Sequence, residues 1–106
     1  MVARGDVVWA DLGPPAGRRP VCVLTRDAAI GVLGAVVCAP LTRTVRGIRS
    51  EVPVRDRRAG IDGVVNCDTI FTLPLDRLDP DPATSLDLDQ RLELDRALRW
   101  SLDILG

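Results

Sequence analysis

The chain has 106 residues, 14 basic and 15 acidic side chains, no histidine and a formal net charge of −1. That length supports one core, so a single domain over residues 1–106 is expected. The apolar content excludes a disordered chain. No apolar run is long enough to span a bilayer, and the start lacks a signal-peptide pattern, which predicts a soluble cytoplasmic protein.

In chain order, Gly5 to Leu12 is mostly apolar, with Asp11 breaking in, and predicts a first strand. Gly13-Pro14-Pro15-Ala16-Gly17 is a turn by composition. Arg18 and Arg19 come last in that loop, and a second strand is expected from Pro20 to Thr25, its unbroken apolar character implying burial on both faces. Arg26-Asp27-Ala28-Ala29 predicts a helical turn, with Gly31 and Gly34 as punctuation. Ala35 to Ala39 reads as a third strand and Thr42 to Ser50 as an Arg-rich loop. Glu51 to Arg55 alternates, and its internal Pro53 predicts an edge strand. Gly63 to Asp68 is a fifth strand, and Thr69 to Leu73 continues extended or tightly turned. Asp79-Pro80-Asp81-Pro82 separates off the last element. Asp87 with Gln90 fits an N-cap and capping box opening one helix over Leu88 to Leu105. Leu94, Ala97, Leu98, Ser101 and Leu105 share one face of it; Arg91, Asp95 and Arg99 make a charged seam, with Leu88, Leu92 and Leu102 beyond. Apolar flanks on both sides of a polar seam hint at a dimer. Short strands in succession followed by one terminal helix predict a mainly β fold, a small SH3-like antiparallel barrel.

The charge is unevenly spread. Residues 1–60 hold ten arginines against five acids, whereas residues 61–106 hold four arginines against ten acids. Every basic residue is arginine, and a basic front half on a near-neutral chain points to a local polyanion site. Cys22, Cys38 and Cys67 each lie in apolar runs with no CxxC spacing, so a zinc site is not expected and they read as reduced, buried hydrophobes.

Without histidine, a His-based acid/base pair and a Ser-His-Asp triad are excluded. Without a Gly-rich phosphate loop, nucleotide-dependent transfer is disfavoured. The acids gather in the last helix and the 76–81 turn, which reads as a solvated face and not a two-metal site. What remains is arginine and hydroxyl chemistry around a phosphate. Arg18-Arg19 precedes one strand, and Thr42-Arg43-Thr44 follows another. Such groups hold a phosphodiester and neutralise its transition state, and RNA supplies its own nucleophile in the 2′-OH.

Arg4-Gly5-Asp6-Val7-Val8-Trp9-Ala10-Asp11-Leu12, Arg18-Arg19-Pro20-Val21, Cys38-Ala39-Pro40-Leu41-Thr42, Ser50-Glu51-Val52-Pro53-Val54 and Val64-Val65-Asn66-Cys67-Asp68-Thr69-Ile70, in that order, resemble the MazF/PemK/Kid family of bacterial toxins over essentially the whole chain. The resemblance implies an SH3-like barrel homodimer that cuts single-stranded RNA, messenger RNA foremost, at short sequences. It implies no metal or other cofactor, 2′,3′-cyclic phosphate and 5′-hydroxyl ends, and a cognate MazE-like antitoxin. Carried over by position, the catalytic arginine falls on Arg19, which stabilises the phosphate and can serve as general acid, and the active-site hydroxyl falls on Thr42.

The chain also departs from that pattern. Its first loop is short and lacks an acid, leaving the base for the 2′-OH open between Asp68 and Glu51. Thr69 and Phe71 stand where many members carry Gln and a basic residue. Arg18, Arg43, Thr44, Asn66, Asp68 and Thr69 are the RNA-contact candidates. Phe71 either stacks a base or belongs to the core, while Trp9 and Trp100 read as packing or dimer residues. Two rival readings are a gyrase-poisoning toxin of the same fold, acting through the last helix and Trp100, and a noncatalytic RNA-binding barrel.

Overall fold

In a computed structural model describing residues 1–105, seven strands and two helices follow one another. The strands are β1 (Asp6–Asp11), β2 (Arg18–Val23), β3 (Ala35–Thr42), β4 (Glu51–Asp56), β5 (Ile61–Asn66), β6 (Phe71–Pro74) and β7 (Thr84–Ser85). The helices are α1 (Asp27–Leu33), between β2 and β3, and α2 (Leu88–Leu102), at the end. The sheet runs β4-β5-β3-β2-β1-β7, with β6 also on β3, and every pairing is antiparallel. This is the mainly β barrel with a C-terminal helix that the patterning predicts.

Strand β3 is the hinge of the barrel. Its first half pairs with β6 from Ala35↔Pro74 to Cys38↔Phe71, and its last two residues pair with β5 as Leu41↔Val65 and Thr42↔Val64. One strand thus serves both halves of the sheet, bending the sheet toward closure. Alternation along β2 divides its apolar residues between two cores. Cys22 packs with Val7, Val65 and the α2 residues Leu94 and Ala97, while Val21 and Val23 pack with Val8, Val36 and Ile30 of α1. Burial on both faces is what the unbroken apolar run implies. Burial also pushes the Cys22 and Cys38 thiols up to about 12 and the Cys67 thiol up to about 11, which leaves them inert as nucleophiles.

Several boundaries differ from expectation for physical reasons. β2 begins at Arg18, not Pro20: Leu12 N–H donates to the Gly17 carbonyl at 2.9 Å, closing the loop and starting the ladder at Asp11↔Arg18. The two arginines are therefore strand residues. β3 runs on to Thr42, so this hydroxyl ends a strand instead of following one. β5 starts at Ile61 and stops at Asn66, leaving Cys67 and Asp68 in a turn. Gly31 lies inside α1 and does not punctuate it; Gly34, at φ 68°, supplies the left-handed C-cap. β4 is an edge strand carrying Pro53, as expected.

Helix α2 opens with the capping box: Gln90 N–H donates to Asp87 Oδ1 at 2.8 Å and Asp87 N–H donates to Gln90 Oε1 at 2.9 Å. Such caps are worth about 1 kcal/mol. The helix ends at Leu102, three residues before the expected Leu105, because Asp103 takes a left-handed conformation at φ 55°. Leu94 and Ala97 are buried, whereas Leu105 lies outside the helix and is 93% exposed. In the charged seam Arg4 Nη2 donates to Asp95 Oδ1 at 2.9 Å, so the seam is tied to the chain's start.

Candidate active site

Strands β2 and β3 are joined from Val23↔Cys38 to Val21↔Pro40, and the ladder stops there. Neither Pro20 nor Pro40 has an N–H with which to continue it. Beyond that point β3 turns away to pair with β5. The register, carried two residues further, sets Arg19 against Thr42 across the opening. A cleft of about 500 Å³ occupies this opening, lined by Trp9, Arg18, Arg19, Pro20, Leu41, Thr42, Arg43 and Thr44, with Gly60, Ile61 and Asp62 from the β4–β5 hairpin. The prolines that break the ladder thus bring an arginine and a hydroxyl from distant positions to one site.

Their hydrogen-bonding states matter as much as their places. Arg19 Nε donates to the Ala16 carbonyl at 3.2 Å, which orients the group, and no carboxylate pairs with it among the described residues. Its terminal nitrogens keep their donors. Thr42 Oγ1 accepts from Thr44 N–H at 3.1 Å, which fixes the oxygen and leaves the hydroxyl proton free to donate. Arg43 and Thr44 are exposed at the rim. Arg18 differs: Nη1 donates to Asp79 Oδ1 at 3.1 Å and Nη2 donates to Oδ2 at 2.7 Å. These bonds raise the Arg18 guanidinium above its ordinary value and hold the Asp79 carboxyl below its own.

One cleft residue and one residue packed behind the cleft were not singled out from the sequence. A Cβ on Gly63 would stand 2.3 Å from the Thr42 carbonyl oxygen, so only glycine lets β5 back so closely onto the residue carrying the hydroxyl. Its signal was a glycine inside a strand-like run. Asp62 is the carboxylate that lines the cleft; in the sequence it sits unmarked in a charged loop.

Asn66, the last residue of β5, and Asp68 and Thr69, in the turn that follows, lie outside this cleft. Asn66 is two residues along β5 from Val64, the partner of Thr42, or roughly 7 Å by strand rise. Asn66 Oδ1 accepts from Asp68 N–H at 3.0 Å and its Nδ2 donates to Thr69 Oγ1 at 3.4 Å. The Asp68 carboxylate accepts from Ser50 Oγ at 2.5 Å and Ser101 Oγ at 2.9 Å, and these bonds hold its carboxyl below the usual range. That direction weakens it as a base. Glu51 accepts from the backbone N–H groups of Arg46 and Gly47 at 2.9–3.2 Å, shaping the loop after β3. Neither candidate base faces the cleft. Phe71 is half-buried against the α1-side core, as a core residue would be. Trp9 is half-buried in the α2-side core and also lines the cleft, whereas Trp100 is 58% exposed, with Arg49 4.6 Å above its ring.

Comparison with known proteins gives a consistent picture. Residues 3–102 match the family described as PemK-like, MazF-like toxin of type II toxin-antitoxin system. "Probable endoribonuclease MazF2" of Mycobacterium tuberculosis is 48% identical over 73 residues, covering 67% of this chain and 70% of that protein. "Endoribonuclease MazF6" of the same species is 32% identical, with 98% and 99% covered. An endoribonuclease solved with its cognate antitoxin from a mycobacterial species superposes with a TM-score of 0.87 at 28% identity, covering 100% of this chain and 99% of that one.

Proposed function

The chain belongs to the PemK-like, MazF-like toxins of type II toxin–antitoxin systems, and from that premise we propose that it is a sequence-specific endoribonuclease acting on single-stranded RNA. Arg19 and Thr42 are the catalytic residues of this reading. The observation that carries it is the cleft between β2 and β3, where an arginine paired with no carboxylate among the described residues faces a hydroxyl with its proton to give.

A scissile phosphodiester seated there receives donors from both sides. The 2′-oxygen attacks phosphorus, its proton passes to a base, and the P–O5′ bond breaks to leave a 2′,3′-cyclic phosphate. The planar guanidinium of Arg19 matches the charge that builds on the phosphoryl oxygens. The departing 5′-oxygen then takes its proton from water in this open cleft. Thr42 donates to one phosphoryl oxygen. These two groups supply the charge stabilisation that a metal ion supplies elsewhere, so the reaction is metal-independent. Asp62, the carboxylate lining the cleft, is the base that takes the 2′-proton in this reading. Arg43 and Thr44 hold the backbone at the rim, and exposed Thr69, whose hydroxyl only accepts from Asn66, offers a flanking contact.

The same reading includes a cytoplasmic homodimer and a MazE-like antitoxin. Leu88, Leu92 and Leu102 are exposed along one stripe of α2, a surface suited to a second copy. No helix among the described residues is long and apolar enough to cross a membrane.

The test is incubation of the purified protein with a long mixed-sequence single-stranded RNA in excess EDTA, beside Arg19→Ala, with product ends mapped. Discrete cuts with cyclic-phosphate ends, absent from the variant, are expected. Intact RNA together with gyrase inhibition would overturn the reading.

A further inference from the structure

Arg18 adjoins Arg19 and lines the same cleft, yet its guanidinium is committed elsewhere. Its two terminal nitrogens meet the two oxygens of Asp79 at 3.1 and 2.7 Å, the paired fork geometry that a phosphate would also use. Asp79 is firmly placed: its N–H donates to the Trp9 carbonyl at 2.9 Å, and buried Leu78 bridges to Ala10. Strand β1 therefore organises both partners, because Asp11 pairs with Arg18 while Trp9 anchors Asp79. The pair is open to solvent, its side chains 56% and 40% exposed, so a phosphate can reach the arginine.

We propose that Asp79 is a positioning residue that withholds Arg18 from the RNA backbone, making the affinity of the cleft a competition between a carboxylate and a phosphodiester for one guanidinium. The inference rests on the RNA-cleaving function proposed above. A cation already neutralised by a carboxylate releases no counterion when RNA arrives, so it adds nothing to backbone binding. Backbone contacts carry no sequence information. Removing one of them from the resting site leaves a larger share of the binding to base contacts, and Asp79 thereby favours selective over indiscriminate binding.

The experiment measures the salt dependence of binding to a 2′-O-methyl single-stranded RNA, which lacks the attacking hydroxyl. Wild type, Asp79→Asn and Asp79→Asn/Arg18→Gln are compared. Asp79→Asn keeps the shape and removes the charge. Its plot of log affinity against log salt is expected to steepen by about 0.7, an extra loss of roughly 2.6-fold across a fourfold rise in salt. The double variant is expected to return to the wild-type slope. An unchanged slope in Asp79→Asn would overturn the inference. So would a steepening that persists in the double variant, because Asp79 would then act by repelling RNA and not by holding Arg18. If wild type neither binds this probe nor cuts ordinary RNA, the RNA-cleaving function falls and the inference with it; binding with equal slopes removes only the role of Asp79.

Discussion

The cleft at the mouth of β2 and β3 and the turn after β5 are built from similar side chains, each with hydroxyls and charged groups at a strand end. They differ in what those groups have left to give. In the cleft, Arg19 spends only its Nε on Ala16, and Thr42 accepts one bond while keeping its proton. In the turn, Asn66 bonds Asp68 and Thr69, and the Asp68 carboxylate takes hydroxyls from both Ser50 and Ser101. Polar groups that satisfy one another hold a fold together; a substrate is held by groups whose capacity is unspent. Ser50, 1% exposed, and Ser101 on α2 show which task the turn performs, since through Asp68 they join the start of β4 to the last turn of the helix.

The comparison breaks most decisively at Arg19. Arg19→Ala is expected to lower the cleavage rate by about 10²–10³-fold, the usual cost of losing one preorganised donor to a developing oxyanion. Circular dichroism should be unchanged, because the side chain is exposed and packs no core. Retained cleavage would move the chemistry away from this cleft.

The next largest effect is expected at Gly63, which touches no substrate. An added Cβ 2.3 Å from the Thr42 carbonyl oxygen forces backbone apart, with Thr42 and Arg43 the groups that must shift. A displacement of about 1 Å at a reacting group can cost on the order of 10²-fold. Gly63→Ala should therefore depress kcat more than it raises KM, alongside a stability loss of about 1–3 kcal/mol for the overpacked site. A stability loss with kcat intact would separate Gly63 from catalysis. Thr42→Val keeps the shape and removes the donor. About 1.5 kcal/mol, the low end for a hydrogen bond to a charged group, makes this roughly a tenfold loss in kcat.

What the sequence disclosed follows the range of the interactions. The Asp87–Gln90 capping box was legible because its partners lie within one helical turn. Arg19 and Thr42 were legible as residue types beside apolar runs, although both are strand residues and not loop residues. The double burial of β2 was legible because three consecutive apolar residues leave no solvent face. Asp79 was not legible as the partner of Arg18: 61 positions separate them, and only the backbone bonds from β1 to Leu78 and Asp79 bring them together. The role of Gly63 was hidden for the same reason, since the carbonyl it accommodates belongs to β3. Strand β7, two residues long, has no pattern to read and exists because β1 offers it an edge.

The smallest expected effect sharpens the structural side of the comparison. The Ser50 and Ser101 hydroxyls hold the folded-state Asp68 carboxyl below its ordinary range, Ser50 contributing most. The unfolded chain titrates this group near the reference value of about 3.9. A lowered folded value means that the unfolded state binds the proton more tightly, so ionised Asp68 favours folding above pH ~4. That contribution fades as pH falls through the folded value, where both states carry the proton. Asp68→Asn should therefore lower Tm at neutral pH by a small amount, and the gap from wild type should close on acidification below pH ~4. Asp56 and Asp79, whose carboxyls are also lowered, remain in both proteins and cancel in the difference. A gap of constant size down to acid pH would show that the carboxylate's charge is irrelevant and that the turn is held by shape alone.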